Sequence, residues 1–127
     1  MSWQDYVDTN LVGSGHCHYA AIIGVDGGGV WAKSEGWAIE ADCPAIVEAM
    51  TKSPDDLFAA GLKLGTKKFF TIQAENNSFY GKCGTDGLAM ACSKQAIVIG
   101  YHGEGPTGPN CKIVVEQIRD YLLGVGY

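Results

Sequence analysis

At 127 residues the chain has the length of one domain, spanning 1–127, and can bury a core without metal or disulfide staples. Its 46% apolar and 18% charged content argues against disorder, and a net charge of −5 disfavours nucleic acid as the main partner. The longest apolar runs fall well short of a transmembrane helix, so no membrane insertion is expected.

Ser2-Trp3-Gln4-Asp5 reads as a helix start, with Ser2 as the cap and an acid three residues later. Trp3, Tyr6, Val7, Asn10 and Leu11 then recur at helical spacing until Gly13-Ser14-Gly15 stops them. Residues 18–24 predict a strand, Asp26 to Gly29 a hairpin turn, and Val30 to Lys33 the returning strand. A short helix is expected from Asp42 to Met50, and a second after Ser53-Pro54-Asp55-Asp56, closed by Gly61. Strands follow at Lys68–Ala74, Phe79–Cys83, Leu88–Cys92 and Gln95–Gly100, separated by turns at Asn76-Asn77, Thr85-Asp86-Gly87 and Ser93-Lys94. Regular turns of this kind imply an antiparallel meander. Ala96–Ile99 is apolar on both faces, so the sheet is expected to be covered on both sides. A last helix runs from about Thr107 or Asn110 to Leu123, with Val114, Ile118, Tyr121, Leu122 and Val125 as its buried face. No βαβ alternation appears. The class is therefore α+β, with one central antiparallel sheet.

Charge is divided along the chain. Residues 1–60 hold nine acids against Lys33 and Lys52, whereas residues 61–127 hold five acids against Lys63, Lys67, Lys68, Lys82, Lys94, Lys112 and Arg119. Two readings stand: a solvated strand face, or a basic surface that meets an acidic partner. The five cysteines, Cys17, Cys43, Cys83, Cys92 and Cys111, are odd in number and lack C-x-x-C spacing. The first residues have neither the basic region nor the apolar core of a signal peptide. Free thiols in a reducing cytosol are expected.

Few motifs speak for catalysis. Gly103-Glu104-Gly105-Pro106-Thr107-Gly108 matches G-x-G-x-x-G, but only 19 residues follow Gly108. That leaves no room for the helix, second parallel strand and ribose-binding acid of a dinucleotide fold. His16-Cys17-His18 offers two imidazoles without a third ligand, so no metal and no cofactor are expected. Neither H-E-x-x-H nor G-x-S-x-G occurs, and an enzyme is not expected.

Aromatics are placed more tellingly. Phe69, Phe70 and Phe79 read as core, but Trp3 and Tyr127 lie too near the chain ends for full burial. If the terminal helices lie side by side, Trp3, Tyr6, Trp31, Tyr121 and Tyr127 gather into one ridge. Such a ridge suits a polyproline II ligand, whose rings stack on aromatic faces and whose free carbonyls accept from indole and phenol donors.

These segments resemble the profilin family from Ser2 to Tyr127, and look closest to its plant and protist members. The resemblance is carried by Ser2-Trp3-Gln4-Asp5-Tyr6-Val7-Asp8, by Ala20–Gly24 with Val30-Trp31-Ala32, and by Leu64–Lys68 with Tyr80-Gly81-Lys82. Val114-Val115-Glu116 and Asp120–Tyr127 complete it. It implies a sheet of six to seven strands, with both terminal helices on one face and two short helices on the other. It further implies a cytoplasmic, monomeric actin-binding protein that also binds proline-rich proteins such as formins. Trp3, Tyr6, Trp31, Tyr121 and Tyr127 would line the proline groove. Phe58, Lys68, Thr71, Gln73, Tyr80, Lys82, Thr107, Lys112 and Gln117 would meet actin. Gln73 and Tyr80 stand where animal relatives carry arginine. The basic half is compatible with phosphatidylinositol bisphosphate, against which the overall charge works. Two other readings compete: a small-molecule sensor domain built on a similar sheet, and a nucleotide-binding enzyme using Gly103–Gly108.

Overall fold

The computed structural model describes residues 3–15, 17–25, 29–37, 39, 42–51, 61–64, 67–75, 78–103 and 108–127. The N-terminal helix α1 opens as an α-turn at Trp3–Asp5, widens into a π-helix over Tyr6–Leu11 and tightens to a 3-10 turn at Val12–Ser14. Gly15 ends it at φ 84°, the left-handed conformation that glycine adopts without steric cost. The expected cap, Ser2, lies outside the described residues. Strands β1 (Tyr19–Gly24) and β2 (Val30–Lys33) precede helix α2 (Cys43–Thr51). Then come β3 (Leu62–Leu64), β4 (Lys67–Glu75), β5 (Ser78–Cys83), β6 (Asp86–Cys92) and β7 (Ala96–His102), and helix α3 (Gly108–Gly124) closes the chain. The strands lie in the order β2-β1-β7-β6-β5-β4-β3, and every neighbouring pair is antiparallel. The fold is thus the expected α+β meander, with the added edge strand β3.

Strand alternation divides the core into two layers. Ala20, Ile22, Ala89, Ala91, Ala96 and Val98 face the terminal helices and pack on Val7, Leu11, Cys111, Val115, Ile118 and Leu122. Their neighbours Ala21, Ile23, Leu88, Met90, Ile97 and Ile99 face the other way, where Ile39, Cys43, Ile46 and Met50 cover them. The layer under the terminal helices is built largely from alanine, which lets helix backbones come close. Gly100 takes this furthest: a Cβ there would lie 2.7 Å from a Val115 methyl and 2.9 Å from the Cys17 sulfur. The second short helix, expected beyond Ser53, falls outside the described residues, as do the hairpin residues Asp26–Gly28.

Three expectations need correction. Helix α3 buries Cys111, Val115, Ile118 and Leu122, while Tyr121 and Val125 are each 51% exposed and Val114 is half-buried. Ranking by hydrophobicity passed over the small thiol of Cys111 and rotated the buried stripe. Phe70 is no core residue but 64% exposed. Adjacent residues of a strand face opposite ways, and Phe69 already fills the inward position. Finally, the turn before β6 is tighter than expected: Asp86 and Gly87 already pair with Cys83 and Lys82.

All five thiols are free, with Cys17, Cys43 and Cys111 buried. Cys17 and Cys111, 94 positions apart in the chain, meet with their sulfurs 3.2 Å apart. Their hydrogen bond lowers the Cys17 thiol pKa and raises that of Cys111, where burial adds to the rise. This pairing marks the seam between α3 and the start of β1.

Candidate functional site

The terminal helices bring five aromatic rings from three elements together. Trp3 and Tyr6 come from α1, Trp31 from β2, and Tyr121 and Tyr127 from α3 and the segment after it. Ring centroids of Trp3 and Trp31 are 4.9 Å apart, Trp3 and Tyr127 5.0 Å, and Trp3 and Tyr6 5.8 Å. Tyr6 and Tyr121 extend the row at 5.8 Å. Trp3 is its hub, edge-on to Tyr127 and tilted against Trp31. Trp3, Tyr6 and Trp31 are half-buried, while Tyr121 and Tyr127 are exposed. The Tyr6 phenol is held above its ordinary pKa, first by its hydrogen bond with Tyr121, then by burial and the nearby Tyr121 and Tyr127 phenols. The Tyr6 phenol is therefore a neutral donor at physiological pH. Between Trp3, Trp31, Gln95 and Tyr127 the rings enclose an open groove of about 320 Å³.

The ridge depends on anchors that sequence reading missed. The main-chain oxygen of Tyr127 accepts from the Ser93 hydroxyl at 2.9 Å and from the Gln95 amide nitrogen. Ser93 is buried, and its hydroxyl also meets both the nitrogen and the oxygen of Ala96. The β6–β7 turn thereby holds the last residue against Trp3 and Trp31. On the other flank, the Gln4 side chain donates to the Lys33 carbonyl at 2.8 Å and ties α1 to the end of β2. A serine in a turn reads as turn chemistry, and nothing local links position 93 to position 127.

A second surface forms beside α3, where the helix leaves Phe70 and Ile72 of β4 and the Lys82 end of β5 uncovered. The helix packs on β6 and β7. Pairing sets Phe70 opposite Lys82 and Gln73 opposite Tyr80, with a bulge between Thr71 and Gln73. Lys68, Gln73, Lys82 and Gln117 are exposed, Thr71 is half-buried, and the Lys68 ammonium lies 5.7 Å from the Phe70 ring centre. Lys112 pairs with Glu116 on α3, and Glu116 in turn accepts from Ser78 on β5 at 3.0 Å. Burial by itself would raise the Glu116 carboxyl pKa. The hydrogen bonds from Lys112 and Ser78 and the charges of Lys112 and Arg119 outweigh it and hold the carboxyl low. Three exposed apolar residues that sequence reading did not assign to this surface, Phe70, Ile72 and Ile113, lie on the same elements.

Tyr80 departs from its group. It is 8% exposed and belongs to the core layer under the terminal helices. Its hydroxyl lies 3.0 Å from His102 Nε2, with the two rings stacked. His102 Nδ1 faces the Gly103 carbonyl, which can only accept, so Nδ1 carries the proton and Nε2 accepts from Tyr80. Burial raises the Tyr80 phenol pKa, and Cys111 adds to the rise. Phe58 and Thr107 lie outside the described residues.

Of the glycine-rich motif, Gly103 spends its backbone N–H on His18 Nδ1 at 2.8 Å. Among the described residues no three metal-ligating side chains cluster, and no helix is long and apolar enough to cross a membrane.

Sheet order and aromatic ridge define a class: an α+β protein whose two chain ends meet on one face of an antiparallel sheet. Comparison supplies the family. The sequence model described as Profilin matches residues 1–127. Profilin-P of Physarum polycephalum and Profilin-2 of Acanthamoeba castellanii are each 40% identical over 127 residues, covering 100% of both chains. The crystal structure of Acanthamoeba castellanii profilin II superposes with a TM-score of 0.90 at 41% identity, over 99% of this chain and 100% of that one. Mouse profilin IIa, solved in complex with a double repeat from the FH1 domain of mDia1, superposes with a TM-score of 0.85 at 25% identity over 100% of both chains. The chain belongs to the profilin family.

Proposed function

We propose that this profilin binds monomeric actin through the β4–β5 and α3 surface, and proline-rich segments of actin regulators through the aromatic ridge. The observation that carries the reading is the row Tyr121–Tyr6–Trp3–Trp31, with Tyr127 set edge-on to Trp3. A polyproline II helix forms no internal hydrogen bonds and rises about 3.1 Å per residue, so a row of flat rings with exposed donors fits its repeat. Support comes from the mouse relative, which holds an FH1-domain repeat.

Actin is an acidic protein, and Lys68 and Lys82 present exposed ammonium groups beside the apolar side chains Phe70, Ile72 and Ile113. Apolar contact supplies affinity there and the cations steer approach. Thr71, Gln73, Lys112 and Gln117 complete the contact, with Tyr80 shaping it from beneath. A profilin seated on actin's barbed face blocks nucleation and pointed-end addition, and leaves barbed-end addition open. Tighter binding to an opened actin cleft speeds nucleotide exchange. Because the ridge is a separate surface, a proline-rich partner can hold the complex near a growing filament end and raise local actin concentration. The protein makes no covalent change in either ligand, and acts in the cytoplasm as a single domain.

Intrinsic tryptophan fluorescence during titration with poly-L-proline tests the reading, with a glycine–serine peptide of equal length as control. A saturable change is expected that vanishes in Trp3→Ala. A flat titration of the folded wild-type protein would overturn the proline half of the proposal, and actin co-sedimentation then decides the other half.

A further inference from the structure

Beyond Trp31 the proline groove does not stop. A second hollow, of about 510 Å³, adjoins that indole, lined among the described residues by Gly24, Val25, Trp31, Lys94 and Gln95. Trp31 and Gln95 line both spaces, so the two hollows adjoin at that ring. The partition is built rather than incidental. Gly24 has no Cβ, and one placed there would lie 2.9 Å from Trp31 Nε1 and 3.4 Å from its Cε2. The indole can therefore lie close over β1 with its N–H edge against Gly24, which lines the second hollow. Among the described residues nothing accepts from that N–H. Among the described residues, Lys94, exposed in the β6–β7 turn, is the single cation on the wall and has no ion-pair partner.

These features specify an occupant. A proline segment crossing the aromatic row and passing Trp31 delivers its next residues into the second hollow. There the indole N–H meets a backbone carbonyl and the Lys94 ammonium meets a side chain of opposite charge. We infer that the groove reads the flank of its proline-rich ligand as well as the prolines, and that Lys94 selects an aspartate or glutamate just beyond the proline run. The inference rests on the proline-binding reading. It adds a specificity that the aromatic rings cannot supply, since proline rings present no charge.

The test is a set of fluorescence titrations at low ionic strength with a plain oligoproline and with the same run flanked by two glutamates, two glutamines or two lysines, each flank placed at either end in turn. For the wild-type protein the glutamate flank at one end is expected to bind about threefold tighter than the glutamine flank, the range of an exposed charge pair. That ratio should approach one at high salt, as screening requires. Lys94→Gln should bring the ratio to one, and Lys94→Glu should invert the preference towards the lysine flank. Each ratio is taken within one protein, so a general change in affinity cancels. Equal binding of all flanks by the wild-type, or a glutamate preference that survives in Lys94→Glu, overturns the inference while leaving the proline groove intact. If plain oligoproline fails to bind, the proline reading falls and this inference with it.

Discussion

Gly100→Ala should loosen the seat of helix α3 on the sheet. Position 100 lies on the same face of β7 as Ala96 and Val98, directly under the helix. An added Cβ would come within 2.7 Å of the Val115 Cγ2 methyl, 2.9 Å of the Cys17 sulfur and 3.1 Å of the Cys111 sulfur. None of the three can swing away, because Val115 and Cys111 are fully buried and Cys17 is 2% exposed. The helix must therefore move out by some tenths of an ångström, against contacts at Ile118 and Leu122 as well. Overpacking of this kind costs about 1–3 kcal/mol. For a domain of this size that corresponds to a fall in melting temperature of roughly 4–12 °C. Urea unfolding should show a lower midpoint at unchanged slope, since the surface exposed on unfolding is the same. Tyr121 and Tyr127 ride on the displaced helix and its extension, so poly-L-proline affinity should fall too. Adding Val115→Ala supplies the room, and the double variant should lose less stability than the two single losses added together. A Gly100→Ala protein within about 0.5 kcal/mol of wild-type would refute the close-approach argument, since changes of that size are ordinary at indifferent sites.

Ser93→Ala removes the hydroxyl that holds the Tyr127 oxygen and leaves the Ala96 amide short of a partner. It should cost about 1 kcal/mol, and faster poly-L-proline dissociation in stopped-flow fluorescence should accompany the stability loss. Lys82→Glu should slow actin association several-fold at low salt and far less at high salt, because exposed charges steer over a screened distance; a salt-independent loss measured by stopped flow would point to lost packing instead. The Glu116 carboxyl is depressed below its ordinary value of 4.5, so its ion pair and hydrogen bond contribute stability above that pH. The contribution is lost as pH falls through the depressed value. Urea midpoints of wild-type and Glu116→Gln should thus differ at neutral pH and converge in acid; a gap independent of pH would place the effect elsewhere.

Much of the fold was legible because local chemistry dictates it. The turn residues and alternating apolar runs between Lys68 and Gly100 specify an antiparallel meander, and the spacing of Trp3, Tyr6, Val7 and Leu11 specifies the first helix. What failed was assignment of faces. Phe69 and Phe70 are equally apolar, and only the pairing of Phe70 with Lys82 on an uncovered stretch of sheet decides which one meets solvent. The same holds on α3, where the buried stripe runs through Cys111 because Gly100 and Cys17 wait opposite it. β3 is too short to carry a periodic signal of its own, and forms because β4 offers its edge.

The aromatic side chains of the ridge were readable as candidates, and their resemblance to a family's pattern named them together. Sequence by itself determined the class of the fold, the identities of those rings and the split between an acidic and a basic half. It could not determine that Tyr127 is pinned by Ser93 and Gln95, that Tyr80 is buried against His102, or that Lys94 stands beside the groove. Each of these joins positions 22 to 34 residues apart, or a turn to a separate strand, and local propensity acts over only a few residues. Their meeting was decided when the two terminal helices docked on an alanine-lined sheet face, a contact that exists only in the folded chain.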